Sequence, residues 1–171
     1  MSNIEQQRTS LGGVFTVKCV DADGNVKWDD EFPNLVVNTG LQYLNTQLFK
    51  GVTYTATWYM GLVNSGGTYA QGNTMLSHSG WTENTSYVSS TRPVMTFGTA
   101  TTGDPSVITS IAVSFIMNAS ANLGGSFLTT DNTKGGTTGT LFSVGNYSTG
   151  NRSVLSGDTL SIVYSFLADA I

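Results

Sequence analysis

The chain has very little charge. Asp, Glu, Lys and Arg together make up 11% of its 171 residues, against roughly a quarter in an average soluble protein. The shortage of cations, 7 Lys and Arg against 11 Asp and Glu, gives a net charge of -4. No basic cluster offsets it locally, so phosphate has little to attract it and nucleic acid is excluded as the expected partner. There is one cysteine, Cys19. A scaffold held by internal disulfides is therefore excluded. Cys19 lies in "VFTVKCV" with no basic cluster to activate it, and reads as a buried thiol on a strand. No apolar run approaches the roughly 18 residues of a membrane span, so no membrane partner is expected. The opening "MSNIEQQRTS" lacks the basic and then apolar layout of a secretory signal. The expectation is a chain kept in the cytosol until it is assembled.

What is there instead is hydroxyl, amide and glycine. Ser, Thr, Asn and 20 Gly fill the space left by charge, and these are turn and strand-surface residues rather than helix formers. With 39% hydrophobic residues, including 3 Trp, 7 Tyr and 8 Phe, the chain can build a core. The expected organisation is a flexible N-terminal arm over residues 1–10 followed by a single β-rich domain over 11–171.

Period-two alternation is clearest near the C-terminus, in "GDTLSIVYSF". Leu160, Ile162, Tyr164 and Phe166 fall on one face, Thr159, Ser161, Val163 and Ser165 on the other. "GVFTVKCVDADGNVKWDDEF" reads as a hairpin turning at Asp23-Gly24-Asn25, with Phe15, Val17 and Cys19 on one face. "NLVVNTGLQYLNTQLFK" is the one convincing helix, over about 39–49. Asn38 can cap it, and Leu41, Tyr43, Leu44 and Leu48 form its apolar side. Further strands are expected in "TATWYMGLVN", "SYVSS", "PVMTFGTA", "SIAVSFIM", "GGSFLTT" and "GTLFSVG". In "SIAVSFIM", Ile111, Val113, Phe115 and Met117 share a face. A long irregular stretch runs from Ser65 to Asn84. Many short strands, one helix and no βαβ rhythm predict a mainly β fold, an antiparallel β-sandwich or barrel-like (jelly-roll-like) domain with one short α-helix.

The candidate chemistry is sparse. "DADGN" at Asp21–Asn25 brings two carboxylates and an amide together, but lacks the spacing of a calcium loop and reads as a turn. "HSGWTE" places His78, Trp81 and Glu83 together, the outline of an acid or base beside a stacking ring. Glu83, Asp104, Asp131 and Asp158 could be paired by a sandwich fold for glycoside hydrolysis, although their Gly, Asn and Pro neighbours suit plain turns. "TKGGTTGT" with Lys134 lacks the order of a phosphate loop and reads as a hairpin connection. No catalytic, cofactor-binding or metal-binding residue is assigned, and no cofactor.

The uncharged second face of "TLSIVYSF" is the feature that calls for a partner. Solvated sheets protect their edges with Lys, Pro or inward charge, and few such residues stand among the last strands. Neutral hydroxyl surface costs less to dehydrate than charge. Strand faces or edges are therefore expected to be covered by other protein, either copies of the chain or a larger assembly. The rival is a monomer kept soluble by Thr, Ser and Asn.

The order of segments from Leu35 onward adds to this. "VVNTGLQYL", "TWYMGLV", "NTMLSHSGWTENTSY", "TRPVMTFG", "GGSFLTTDNTKGGTTGTLFSVG" and "SGDTLSIVYSF" resemble small virion structural proteins of tailed bacteriophages. The resemblance implies a non-enzymatic virion protein assembled in the host cytoplasm. Its first form is a homo-oligomeric capsid decoration (cement) protein that binds the major capsid protein and other virion proteins. The alternative is a tail or fibre-associated protein that binds a host-surface glycan, with Tyr69, Trp81 and Tyr87 as stacking platforms.

Overall fold

The structure, a computed structural model, describes residues 9–50 and 57–170. In chain order its elements are β1 (Thr9–Val20), β2 (Val26–Pro33), β3 (Leu35–Val36), α1 (Asn38–Lys50), β4 (Trp58–Asn64), β5 (Glu83–Asn84), β6 (Val94–Met95), β7 (Ser106–Thr109), β8 (Val113–Ile116), β9 (Ala121–Thr129), β10 (Leu141–Asn146), β11 (Arg152–Val154) and β12 (Thr159–Ala170). Among the described residues the fold is mainly β, with two antiparallel sheets and one helix, as the sequence predicts.

The first sheet runs β2-β1-β12-β7, with β8 also pairing β12. β8 takes the Thr159–Ile162 half of β12 and β7 the Ser165–Ala168 half. The second sheet runs β3-β10-β9-β4-β5, with β11 on the start of β9 and β6 on the start of β4. Their facing sides form the main core. Phe15, Val17, Cys19, Leu160, Ile162 and Tyr164 come from the first sheet, and Met60, Leu62, Leu128 and Phe142 from the second. Period-two alternation builds the first contribution, since one face of each strand is apolar.

The second sheet is buried on both sides. On its outer face Val63, Phe127, Leu141 and Val144 pack against Met75 and Trp81, which the irregular stretch between β4 and β5 supplies. That stretch is thus a third layer. It also explains why β9 and β10 read as near-continuous buried runs rather than alternating ones.

α1 closes one end of the sandwich. Gly40 in its first turn is buried, and a Cβ there would lie 2.3 Å from the Phe142 carbonyl oxygen, so glycine allows the helix to rest directly on the β10 backbone. Leu41, Tyr43 and Leu44 pack on the core, but Leu48, expected on the same side, is 75% exposed beside an equally exposed Phe49. The helix outruns the sheets it covers.

Other expectations change in detail. Thr9 and Ser10, read with the flexible arm, are ladder residues of β1 opposite Ala170 and Asp169. Met1–Arg8 lie outside the described residues. "SYVSS" contributes only an isolated bridge between Tyr87 and Met117. "SIAVSFIM" is broken. Ser110 bridges Phe97, β8 begins at Val113, and Ile111 points away from the core at 64% exposure while Val113, Phe115 and Met117 are buried.

Candidate functional site

The uncharged strand face lies on the outside of the first sheet. The turn before β12 sets its phase. Gly157 has a positive φ of 92°, and the buried Asp158 carboxylate accepts from Leu155 N at 2.7 Å while pairing with Lys27. From there alternation sends Leu160, Ile162 and Tyr164 inward and leaves Thr159, Ser161, Val163 and Ser165 half-buried outside.

Strand register gives this outer face two unlike halves. Toward β1 and β2 it is charged, with Lys18 opposite Ser161 and, one strand further, Asp29 opposite Lys18 and Glu31 opposite Thr16. Toward β7 and β8 it is neutral, with Ile116 opposite Thr159, Ser114 opposite Ser161 and Thr109 opposite Ser165. The hydroxyls there satisfy one another laterally, as in the 2.9 Å contact between Thr109 Oγ1 and Ser165 Oγ. Val88, Ile111 and Ile116 add exposed apolar side chains at this margin. Such a surface can be dehydrated without stranding a charge.

Both edges of this sheet are managed by the chain itself, contrary to the expectation that protection is scarce. β2 pairs only with β1 and carries Lys27, Asp29, Asp30, Glu31 and Pro33, which discourage a further strand. Along the opposite edge the 86–101 segment bonds to β7 and β8. Val88 N donates to Ile116 O at 2.8 Å, Ile111 N to Thr96 O at 2.7 Å, and Thr101 N to Val107 O at 2.8 Å. Neither edge is thereby left open to a further strand.

The candidate chemical residues are mostly consumed by local structure. Asp21 Oδ1 accepts from the backbone N–H groups of Asn25 at 2.8 Å and Asp23 at 3.0 Å, and Gly24 takes a φ of 86°. The Asn25 backbone bond, foremost, holds the Asp21 carboxyl below its usual value. This is a side-chain-capped turn. Among the described residues no group of three His, Cys, Asp or Glu is placed to hold a metal ion. His78 stacks on Trp81 with ring centroids 4.2 Å apart, and its Nδ1 lies 3.0 Å from Thr74 O. Trp81 donates to Asn73 Oδ1 at 3.2 Å and packs on Phe127.

The four acids are not gathered into one site. Asp158 serves the turn described above, and Asp104 accepts from Ala170 N at 3.0 Å. Glu83 and Asp131 do come together, but around Arg92. The guanidinium donates to both Glu83 oxygens and to the carbonyls of Asp131 and Gly136, and lies over the Phe127 ring. Thr133 N donates to Asp131 Oδ1 at 2.8 Å and, as the largest influence, lowers the carboxyl's affinity for a proton. Lys134 donates to the Tyr87 and Ser89 carbonyls and sits 4.4 Å from the Tyr87 ring centroid. The glycine-rich connection between β9 and β10 is therefore tied down by ion pair and strap. Arg92 is the residue sequence reasoning missed, since nothing in "STRPVM" distinguishes a buried arginine from a solvated one.

The proposed stacking platforms need correction. Trp81 and Tyr87 are 4% and 0% exposed, because the third layer and the Lys134 strap cover them. Tyr69 is half-buried and its ring stands perpendicular to that of Trp81. None of the three presents an open ring face to a sugar except in part Tyr69.

Comparison with protein-family models, curated proteins and solved structures finds no match.

Proposed function

We propose that the chain is a non-enzymatic structural protein of a bacteriophage virion, a capsid decoration protein that oligomerises and lies against the major capsid protein. The observation carrying this reading is the neutral half of the outer face, bounded by Thr159–Ser165 of β12 and Thr109, Ser114 and Ile116 of β7 and β8. With both edges of that sheet closed to strand pairing, the face is the part of the sheet that can meet other subunits. The segment resemblance supplies the virion context. Its mechanism is binding without turnover: neutral surface is removed from water across neighbouring subunits, and the added contacts stabilise the shell. The glycan reading is not favoured, because burial removes Trp81 and Tyr87 as platforms.

The test is sedimentation of the purified chain with empty capsids, followed by electron-microscopic reconstruction of the decorated particle. Saturable co-sedimentation and ordered density with the β12 face against the shell are expected. A stable monomer that is absent from purified particles and fails to bind shells would overturn the reading.

A further inference from the structure

At the end of the sandwich where α1 rests on β10, the space between the two sheets is not filled. A cavity of about 630 Å³ remains, walled by Tyr43 and Leu44 of α1, Trp58 of β4, Ile108 of β7, Phe142 of β10 and Phe166 of β12. The space is partly open to solvent, and its volume lies within the range of small-molecule sites, roughly 300–1,000 Å³.

The walls brace one another. Tyr43 meets Trp58 edge-on at 5.1 Å, Trp58 meets Phe142 at 5.3 Å and Phe142 meets Phe166 at 5.6 Å, a continuous run of perpendicular aromatic contacts. Each ring is held by the next, so the cavity is pre-formed. Among the described residues no Asp, Glu, Lys, Arg or His lines it, and an ionised ligand would lose its hydration without compensation. One polar group awaits a partner. Gln47 lines the cavity, and its Oε1 is buried without a hydrogen bond. The Tyr164 hydroxyl on the same wall already accepts from Asn34 Nδ2 at 2.8 Å.

We propose that this cavity binds one neutral, largely aromatic small molecule that donates a hydrogen bond to Gln47 Oε1. The site is independent of the outer face of the first sheet, and stands or falls apart from the virion reading.

N-phenyl-1-naphthylamine is a suitable probe: neutral, aromatic, with one N–H, and fluorescent when it leaves water. Titration into the full chain is expected to give saturable one-to-one binding and a raised thermal midpoint. Ile108→Trp fills the cavity and should weaken binding at least tenfold while circular dichroism remains that of the folded chain. If that variant fails to fold, Leu44→Phe narrows the same space from the helix side and carries the same expectation. Gln47→Leu preserves shape and should weaken binding about three- to tenfold, the worth of one neutral hydrogen bond. Laurate, an anion of comparable apolar bulk, should bind at least tenfold more weakly than the probe. Absence of saturable binding, binding that survives the filled cavity, full affinity in Gln47→Leu, or tighter binding of laurate would each overturn the proposal.

Discussion

Arg92 grips both oxygens of the Glu83 carboxylate, Nε to Oε1 at 3.0 Å and Nη2 to Oε2 at 2.8 Å, with both side chains almost closed to water. A buried pair is costly to assemble and costlier to break, because the survivor is left charged and dry. Arg92→Met should therefore destabilise the chain by about 3–5 kcal/mol in urea unfolding. Arg92→Met combined with Glu83→Leu should recover only part of that loss, since the carbonyls of Asp131 and Gly136 still lose their donor. A double variant as unstable as the sum of its singles would mean that the two groups do not act as a pair.

Acid sensitivity follows from two turn carboxylates. Asp21 and Asp131 both titrate below their usual value, chiefly because the backbone N–H groups of Asn25 and Thr133 favour the ionised form. A carboxyl whose folded value is depressed adds stability above its unfolded value, near pH 4. That contribution is lost as pH falls through the folded value. Asp21→Asn with Asp131→Asn should thus be less stable than the parent at pH 6, and the gap should close as pH falls below about 4. Asp169 has the opposite sign. Reduced hydration and then nearby Asp104 raise its value, so Asp169→Asn should stabilise the chain at neutral pH. Denaturant midpoints against pH check both.

Cys19 is fully buried, and burial, followed by the Asp158 carboxylate, pushes its thiol up to about 11. At pH 8 about one molecule in a thousand would carry the reactive thiolate, even before access is considered. Ellman's reagent should therefore leave the folded chain untouched over an hour and titrate one thiol at once in guanidinium. Rapid reaction of the native protein would mean that β1 opens locally.

Where one face of a strand is dry and the other wet, alternation carries the fold on its own, and β1, β2 and β12 were legible for that reason. The second sheet hid its outer cover. Met75 and Trp81 come from a stretch with no periodicity, and only the continuous burial of β9 and β10 betrays that something lies on them. A regular strand through "SIAVSFIM" would set Ile111 on the same face as Val113, Phe115 and Met117. The break at Ile111 and Ala112 turns it outward instead, a consequence of bonding to the 86–101 segment. Trp81 and Tyr87 looked like open platforms because aromatic residues in polar loops carry no mark of what covers them. The neutral β12 face was readable, but the charged neighbours Lys18, Asp29 and Glu31 share it only through strand order, which the alternation of one strand does not contain.

The contact of α1 with β10 gives a sharp steric test. Gly40→Ala places a methyl carbon against the Phe142 carbonyl, and backbone cannot move aside as a flexible side chain would. Its better helix propensity would favour alanine by about 1 kcal/mol elsewhere. Here the expected outcome is net destabilisation of about 1–3 kcal/mol, the usual cost of overpacking. Equal or greater thermal stability would mean that the helix does not rest on the strand.

Charge placed on the neutral face separates assembly from folding. Val163 is half-buried between Thr16 and the gap separating β7 from β8, and Ile116 is 51% exposed at the margin. Replacing either by Glu alters little of the monomer's interior, so unfolding of the isolated chain should shift modestly, by under about 1 kcal/mol at Ile116. In a packed interface the same carboxylate would be dehydrated without a partner, at a cost of several kcal/mol. Ile116→Glu should therefore remain folded yet lose self-association in sedimentation velocity and lose binding to shells. Lys27→Glu would break the Asp158 pair and confuse stability with binding, so Thr16→Lys on β1, whose ammonium falls opposite Glu31, is the better control. It lies toward the half that already carries Glu31, and should weaken association less than Ile116→Glu. Equal loss from both variants would place the contact across the whole face, and no loss from either would remove the face from the interface.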